Sequence, residues 1–186
     1  NVTMPHKAAA AALADRPDAV VEATGAANTL RGRGGVVEAT NTDVAGIAFA
    51  AADAGIPVLA PVLILGGGGA AAAAEAAFEG RAVARSTRNG GDVAWGEVVP
   101  GAVVVNATPL GMQGEPLPAG LLEVAAGLID LAYGPDPTPA VEEGRSRGIP
   151  VADGLDVLVA QAAASFTWWT GMEAPAETMR RAARGY

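Results

Sequence analysis

The chain contains one lysine and one histidine, and the two are adjacent as Lys7 and His6. Every other cationic side chain is an arginine, which stays protonated in proteins, whereas a lysine can exchange a proton near neutral pH in suitable surroundings. A lone lysine is more commonly a solvated surface group. The neighbours of Lys7 must therefore decide whether it is a proton donor, and His6 is assigned to the scaffold.

A glycine-rich segment provides the second chemical signal. It fits the pattern G-x-G-x-x-A, follows the apolar run Val62–Leu65 and precedes an alanine-rich segment that favours a helix. In that context the glycines let the backbone approach a pyrophosphate at the helix N-terminus, although a structural tight turn is the alternative. The predicted cofactor-binding residues here are Gly66, Gly67, Gly68, Gly69 and Ala70.

The segment Arg85-Ser86-Thr87-Arg88 bears on the choice of cofactor. An NAD site usually places Asp or Glu about 20 residues after the first glycine, where the carboxylate binds the ribose hydroxyls. This chain has two arginines and two hydroxyl groups instead. They favour the 2'-phosphate of NADP, with an ordinary solvated turn as the alternative, so we predict NADP (NADPH) as the cofactor.

Composition excludes several classes of function. The absence of cysteine and the single histidine exclude thiolate and multi-histidine metal sites, so no metal is expected. The net charge of −8 among 186 residues argues against binding of nucleic acid, which requires clustered cationic side chains. Small anionic ligands remain compatible with a local positive site.

The uncharged run at residues 54–74 is long enough to suggest a membrane span. Prolines and four consecutive glycines interrupt it, however, and a strand followed by a glycine turn and a helix explains it better. The beginning of the chain has no basic segment followed by an apolar block. We therefore expect no membrane partner and a cytoplasmic location.

From residue 62 onward, β-prone runs alternate with segments that favour helices or loops. This alternation predicts a doubly wound parallel sheet, an α/β fold of the Rossmann type. The expected strands are Val62–Leu65, Arg81–Arg85, Val103–Val105, Leu128–Leu131 and Pro150–Ala152. The last two segments, Leu155–Gly171 and Ala174–Arg184, are predicted to be helices.

The first 43 residues predict the remainder of a smaller α/β substrate domain. We expect the end of a strand at Asn1–Thr3 and a helix at Pro5–Leu13. A hairpin with a glycine turn should follow, formed by Ala26–Arg31 and Val36–Ala39, and then two helix-capping residues, Thr42 and Asp43. Because the chain begins within what resembles a strand-turn-helix unit, we expect part of this domain to precede Asn1. The predicted division is residues 1–43, the Rossmann-type domain at 44–158, and C-terminal helices at 159–186 that pack back toward the substrate domain.

Seven motifs in this order resemble the shikimate dehydrogenase family over essentially the whole chain. They are Asn-Val-Thr-Met-Pro-His-Lys at 1–7, Gly-Ala-Ala-Asn-Thr at 25–29, Asn-Thr-Asp at 41–43, the glycine loop, Asn-Ala-Thr-Pro-Leu-Gly-Met at 106–112, the segment 130–139, and the segment 153–171. The resemblance implies an NADP-dependent oxidoreductase that reduces 3-dehydroshikimate to shikimate in chorismate and aromatic amino-acid biosynthesis.

The resemblance also implies roles for individual residues. Lys7 matches the catalytic lysine and Asp43 its partner carboxylate. The matches to substrate-binding groups are Thr3, Asn28, Tyr133 and Gln161, and the matches to the surroundings of the cofactor are Asn106, Thr108 and Gly154. The chain departs from the family pattern at Val157, where a methionine usually packs on the nicotinamide, and at Asp156, which replaces a common glycine.

Elementary chemistry supports these roles. Hydride transfer to a ketone leaves negative charge on oxygen, so a nearby donor must supply a proton, and Lys7 can do so. Two alternatives stay open: a quinate/shikimate dehydrogenase that uses NAD, and a non-catalytic dinucleotide-binding fragment. The expected partner is a small-molecule substrate, 3-dehydroshikimate or shikimate, bound by a monomer or homodimer.

Overall fold

A computed structural model describes residues 1–185, which form two sheets. The smaller sheet has the order β1-β3-β2 and consists of β1 (Arg16–Pro17), β2 (Thr29–Arg33) and β3 (Val36–Thr40). Strands β2 and β3 form the predicted antiparallel hairpin, and β1 joins β3 in parallel. The helices of this region are α1 (Lys7–Ala12) and α2 (Ala19–Thr24), and an apolar cluster that includes Ala10, Val21 and Ala39 joins them to the sheet.

The larger sheet has six strands in the order β6-β5-β4-β7-β8-β9. Their bounds are β4 (Val62–Leu65), β5 (Val83–Thr87), β6 (Gly90–Gly91), β7 (Val103–Asn106), β8 (Gly127–Asp130) and β9 (Val151–Ala152). All pairs are parallel except β5 with β6, which confirms the doubly wound α/β prediction. Because β5 lies on one side of β4 and β7 on the other, the crevice beyond β4 and β7 is the switch point where such folds bind ligands.

Helices cover both faces of the larger sheet. They are α3 (Thr42–Asp53), α4 (Gly69–Ala77), α5 (Pro139–Ser146) and α6 (Gly154–Thr170), and α7 (Ala176–Ala183) packs on α6. Along β4, Val62 and Ile64 pack in the cluster that contains Ile47 of α3, whereas Leu63 and Leu65 pack on the opposite face. All four side chains of β4 are buried, as expected for a central parallel strand covered on both sides.

Two local predictions were wrong. Residues 1–3 are not part of a strand, although Val2 N donates to Asn28 O at 2.7 Å. The N-cap of α3 is Asn41, whose side chain accepts from Asp43 N at 3.2 Å, so Thr42 and Asp43 lie inside the first turn and do not cap it. The Asp43 carboxylate is consequently free to bind another group.

The uncharged run at 54–74 comprises a loop, β4, the glycine turn and the start of α4. Across residues 1–185, no helix has the combination of length and apolar character needed to cross a membrane.

Candidate active site

Lys7 and Asp43 form an ion pair between Nζ and Oδ2. Lys7 is the first residue of α1 and Asp43 lies in the first turn of α3, 36 residues later. Their side chains are only 21% and 16% exposed. The lone lysine is thus held by a carboxylate in a partly enclosed place, which distinguishes it from a solvated surface group.

Asn28 holds the other oxygen of the same carboxylate. Its Oδ1 accepts from Thr42 N at 2.9 Å and from Thr29 Oγ1 at 2.8 Å, which fixes the orientation of the buried amide. Its Nδ2 consequently donates to Asp43 Oδ1 at 2.9 Å. Asp43 therefore has one oxygen on an amide and one on an ammonium group, so its position relative to Lys7 is well determined.

A buried network of hydroxyl groups supports Asn28 from behind. Ser165 Oγ is fully buried and lies 2.8 Å from Thr29 Oγ1 and 2.9 Å from Thr42 Oγ1. Asn1 Nδ2 donates to Ser165 Oγ at 3.1 Å. Neither Asn1 nor Ser165 was predicted to belong to the site, although Ser165 lies one helical turn after Gln161 and that spacing on α6 was a usable signal.

One cavity of about 510 Å³ brings the predicted catalytic and substrate-binding residues together. Its lining includes Thr3, Lys7, Asn28, Asp43, Tyr133 and Gln161, and it also includes Gly154 and Ala70 from the predicted cofactor set. Gln161 Oε1 accepts from Asn28 Nδ2 at 3.4 Å. Tyr133 is 44% exposed. The cavity therefore connects a polar wall rich in donors and acceptors with the beginning of α4.

The glycine loop has the geometry of a pyrophosphate cradle. Gly66 has φ +120°, and a Cβ there would lie 2.7 Å from the Ala107 carbonyl oxygen, so only glycine fits. Gly68 caps α4 without a side-chain hydrogen bond, and a Cβ on Gly68 would meet nothing within 4 Å. The first turn of α4, which begins at Gly69, therefore has no side-chain cap and leaves room beside Gly68, as binding of a dinucleotide pyrophosphate requires.

The four residues predicted to select NADP have different surroundings. Arg85 pairs with the Glu75 carboxylate of α4. Ser86 is fully buried and its Oγ donates to Ala94 O at 2.9 Å, so we expect it to shape the strand end without contacting a ligand. Arg88 lies over the Trp95 ring with its guanidinium carbon 5.2 Å from the centroid.

Thr87 brings this segment next to the glycine loop, because a Cβ on Gly67 would lie 3.4 Å from Thr87 Cγ2. Within residues 1–185, Arg88 forms no ion pair with a carboxylate. Of the two arginines, Arg88 is therefore the one whose charge is available to a 2'-phosphate.

Asn106 connects the ends of β7 and β8. Its amide donates to Asp130 Oδ1 at 2.8 Å and to Leu110 O at 2.9 Å, and its Oδ1 accepts from Thr108 Oγ1 at 2.6 Å. Burial raises the pKa of Asp130, against hydrogen bonds from Thr138, Asn106 and the Ala132 N–H that lower it. Both amide hydrogens of Asn106 are used inside the protein, so we expect it to shape the loop that carries Thr108.

The parallel sheet with a glycine loop at its switch point, next to a cavity with a lysine–aspartate pair, defines a Rossmann-type dinucleotide-binding protein. Residues 154–184 match the shikimate 5'-dehydrogenase C-terminal domain. A shikimate dehydrogenase (NADP(+)) of Methanocella arvoryzae is 37% identical over 99% of this chain and 77% of its own length. The chain belongs to the shikimate dehydrogenase family, which confirms the resemblance seen in the motifs.

Further relatives agree with this assignment. A shikimate dehydrogenase (NADP(+)) of Rhizobium meliloti is 39% identical over 97% of this chain and 73% of the relative. The crystal structure of shikimate 5-dehydrogenase from Thermus thermophilus in complex with NADP(H) and shikimate superposes with a TM-score of 0.88. It is 31% identical in sequence, and the match covers all of this chain and 77% of the Thermus chain.

Proposed function

We propose that this protein is an NADP-dependent shikimate dehydrogenase that interconverts 3-dehydroshikimate and shikimate. The observation that carries the proposal is the Lys7–Asp43 ion pair in a chain of the shikimate dehydrogenase family. This pair lines the same cavity as Ala70 at the start of α4. A proton donor and the beginning of the cofactor helix thus share one enclosed space.

NADPH supplies the hydride when it is bound. Lys7 Nζ donates a proton to the ketone oxygen as negative charge develops there, so that ketone, hydride and proton yield the alcohol. Asp43 holds the ammonium group in position through Oδ2 and can accept a hydrogen bond from a hydroxyl group of the substrate. In the reverse direction Lys7 accepts the proton from the alcohol.

The remaining substrate contacts fit a polyol. Thr3 and Tyr133 contribute hydroxyl groups to the cavity and Gln161 contributes an amide. The amide of Asn28 also lines the cavity and is already hydrogen-bonded to Asp43 and Thr42. We infer that these four side chains orient the ring hydroxyls so that the ketone carbon faces the nicotinamide. The amide of Asn28 is the most firmly fixed of the four, because its oxygen accepts from the backbone N–H of Thr42.

We propose that the pyrophosphate binds at Gly66–Gly69 and Ala70, and that Arg88 is the principal ligand of the 2'-phosphate. Thr87 next to the loop, Thr108 and Gly154 complete the cofactor surroundings. Arg85 contributes less in this proposal, since Glu75 already neutralises its charge.

We also propose the division into residues 1–43, 44–158 and 159–186. Its first boundary is supported by Ile47 of α3, which packs in the core of the larger sheet. The proposed packing of the C-terminal segment on the smaller sheet is supported by the end of α6, where Trp169 Nε1 donates to Leu30 O at 2.9 Å and Arg31 Nη1 donates to Trp168 O at 2.7 Å.

The direct test follows NADPH oxidation in the presence of 3-dehydroshikimate, with NADH as the alternative cofactor and quinate oxidation as the alternative reaction. We expect turnover of 3-dehydroshikimate with a preference for NADPH. Preference for NADH and quinate would favour a quinate/shikimate dehydrogenase. NADP binding without any turnover would favour a non-catalytic dinucleotide-binding protein.

A further inference from the structure

Two arginines of the C-terminal segment form ion pairs with two different helices. Arg180, in α7, donates from Nη2 to Asp53 Oδ2 at 3.1 Å, at the end of α3. Arg184, one turn later, donates from Nη2 to both oxygens of Asp153 at 3.1 Å and to Asp156 Oδ1 at 2.6 Å. Arg184 therefore binds the beginning of α6, whereas the two ion pairs of Arg180, with Asp53 and with Glu177 of its own helix, do not involve that turn.

Asp153 connects Arg184 to the backbone of α6. As the N-cap, its Oδ1 accepts from Leu155 N at 3.1 Å and from Asp156 N at 3.0 Å, and its Oδ2 accepts from Arg145 Nη2 at 2.9 Å. Burial works to raise the pKa of Asp153, but the Asp156 N–H and the charges of Arg184 and Arg145 outweigh it and lower that pKa. The first turn of α6 is thus fastened by a charged cluster outside the proposed catalytic residues.

The residue after this cap forms part of the cavity wall. A Cβ on Gly154 would lie 2.9 Å from Tyr133 Cβ and closer still to the Ala132 carbonyl oxygen, so the first turn of α6 fits tightly against the segment after β8. Gly154, Val157 and Tyr133 line the cavity that holds Lys7. A small rotation of this turn would therefore move the wall that faces the proton donor.

The same wall shares the cavity with the beginning of the proposed cofactor helix, because Ala70, Gly154, Val157 and Lys7 all line it. A dinucleotide anchored at the glycine loop would enter this cavity beside Ala70, with Gly154 and Val157 in the wall along which its redox ring would lie. We propose that Arg184 is a positioning residue for the nicotinamide end of the cofactor, acting through Asp153 and Asp156. This inference rests on the proposed function, since it assumes that the cavity accepts NADP.

The test compares NADP⁺ with 2'-phospho-ADP-ribose, which lacks the nicotinamide ring, as ligands in titration calorimetry. For Arg184→Gln we expect roughly tenfold weaker binding of NADP⁺, because a displaced first turn of α6 no longer matches the nicotinamide end, with binding of the fragment unchanged. Arg180→Gln is the matched control, because it removes an ion pair of the same C-terminal segment and should leave both affinities as they are in the wild type.

Arg184→Lys keeps the charge but cannot bridge two carboxylates in the same way, so it should show the same selective loss to a smaller extent. If Arg184→Gln does not fold, the Arg184→Lys variant tests the inference by itself. Equal weakening of both ligands, or no change in either, in the variants that fold would overturn the inference. Failure of the wild-type protein to bind NADP⁺ would instead contradict the proposed function, and the inference with it.

Discussion

Gly46 of α3 lies directly against the backbone of Gln161 in α6. A Cβ on Gly46 would be 2.7 Å from Gln161 Cβ and 2.9 Å from Gln161 N. Asp43 lies one turn before Gly46 on the same helix, so this close approach sets the separation between the partner of Lys7 and the Gln161 amide. Because Gly46 has no side chain, α3 and α6 approach closely, and the cavity walls that carry Asp43 and Gln161 lie near each other.

Gly46→Ala should therefore force α3 and α6 apart. We expect a loss of about 1–3 kcal/mol in the free energy of unfolding, as is typical of overpacking, together with a several-fold higher KM for shikimate. Urea unfolding and steady-state kinetics measure the two effects. Gly32→Ala is the control, because a Cβ there meets nothing within 4 Å; an equally stable and active Gly46→Ala variant would refute the role of this contact.

Much of the fold could be predicted from local sequence. The predicted core strand Val62–Leu65 has the observed bounds, and the hairpin around Gly34 was found because a glycine turn joins two β-prone runs. The two-residue strands β1 and β6 have no periodicity of their own and depend on their neighbours, so they were missed. The capping role of Asn41 was missed because Thr42 and Asp43 are equally good caps by type.

The site was less predictable than the fold. Motif order predicted Lys7, Asp43 and Gln161 as site residues, but not the contacts that hold their side chains. Ser165 and Arg184 act through residues far away in the chain, at separations of 136 residues from Thr29 and 31 from Asp153. These contacts arise only when the two sheets and α6 are assembled; the helical spacing from Gln161 places Ser165 on the right face of α6 but does not encode its partners.

Ser165→Ala should destabilise the protein and disturb the substrate site. The change leaves the buried hydroxyl groups of Thr29 and Thr42 with one partner fewer, so we expect a loss of about 1–3 kcal/mol in the free energy of unfolding. Thr170→Ala serves as the control. Like Ser165, Thr170 donates from its hydroxyl to the carbonyl four residues earlier, but the Thr170 hydroxyl is exposed. Similar losses in the two variants would mean that the buried network has no special role.

Arg88→Gln should change cofactor preference. Loss of one charge-assisted hydrogen bond to the 2'-phosphate is worth about 1.5–3 kcal/mol, or roughly a 10- to 100-fold weaker affinity for NADP⁺. Affinity for NAD⁺, which lacks that phosphate, should stay constant. Arg85→Gln should have a smaller effect because Glu75 already pairs with Arg85; the reverse order of the two variants in fluorescence titrations would reassign the phosphate ligand.

Asp130 should make stability depend on pH in a recognisable direction. Because burial raises its pKa in the folded protein, the contribution of Asp130 to stability is fully present below its unfolded pKa and is lost as pH rises through the folded value. The free energy of unfolding of the wild type relative to Asp130→Asn should therefore increase as the pH falls from about 7 to about 4, the ordinary pKa of an aspartate. Urea unfolding at both values tests this, and a relative decrease would contradict it.

The central claim is that Lys7 transfers the proton, and kcat of Lys7→Ala with NADPH and 3-dehydroshikimate tests it most directly. We predict a fall of about 10²- to 10⁴-fold, the usual contribution of a positioned acid or base, while the affinity for NADP⁺ measured by calorimetry changes little. Lys7→Arg keeps the positive charge beside Asp43 but cannot readily release a proton, so its kcat should fall as well. A kcat near the wild-type value in either variant would contradict the account.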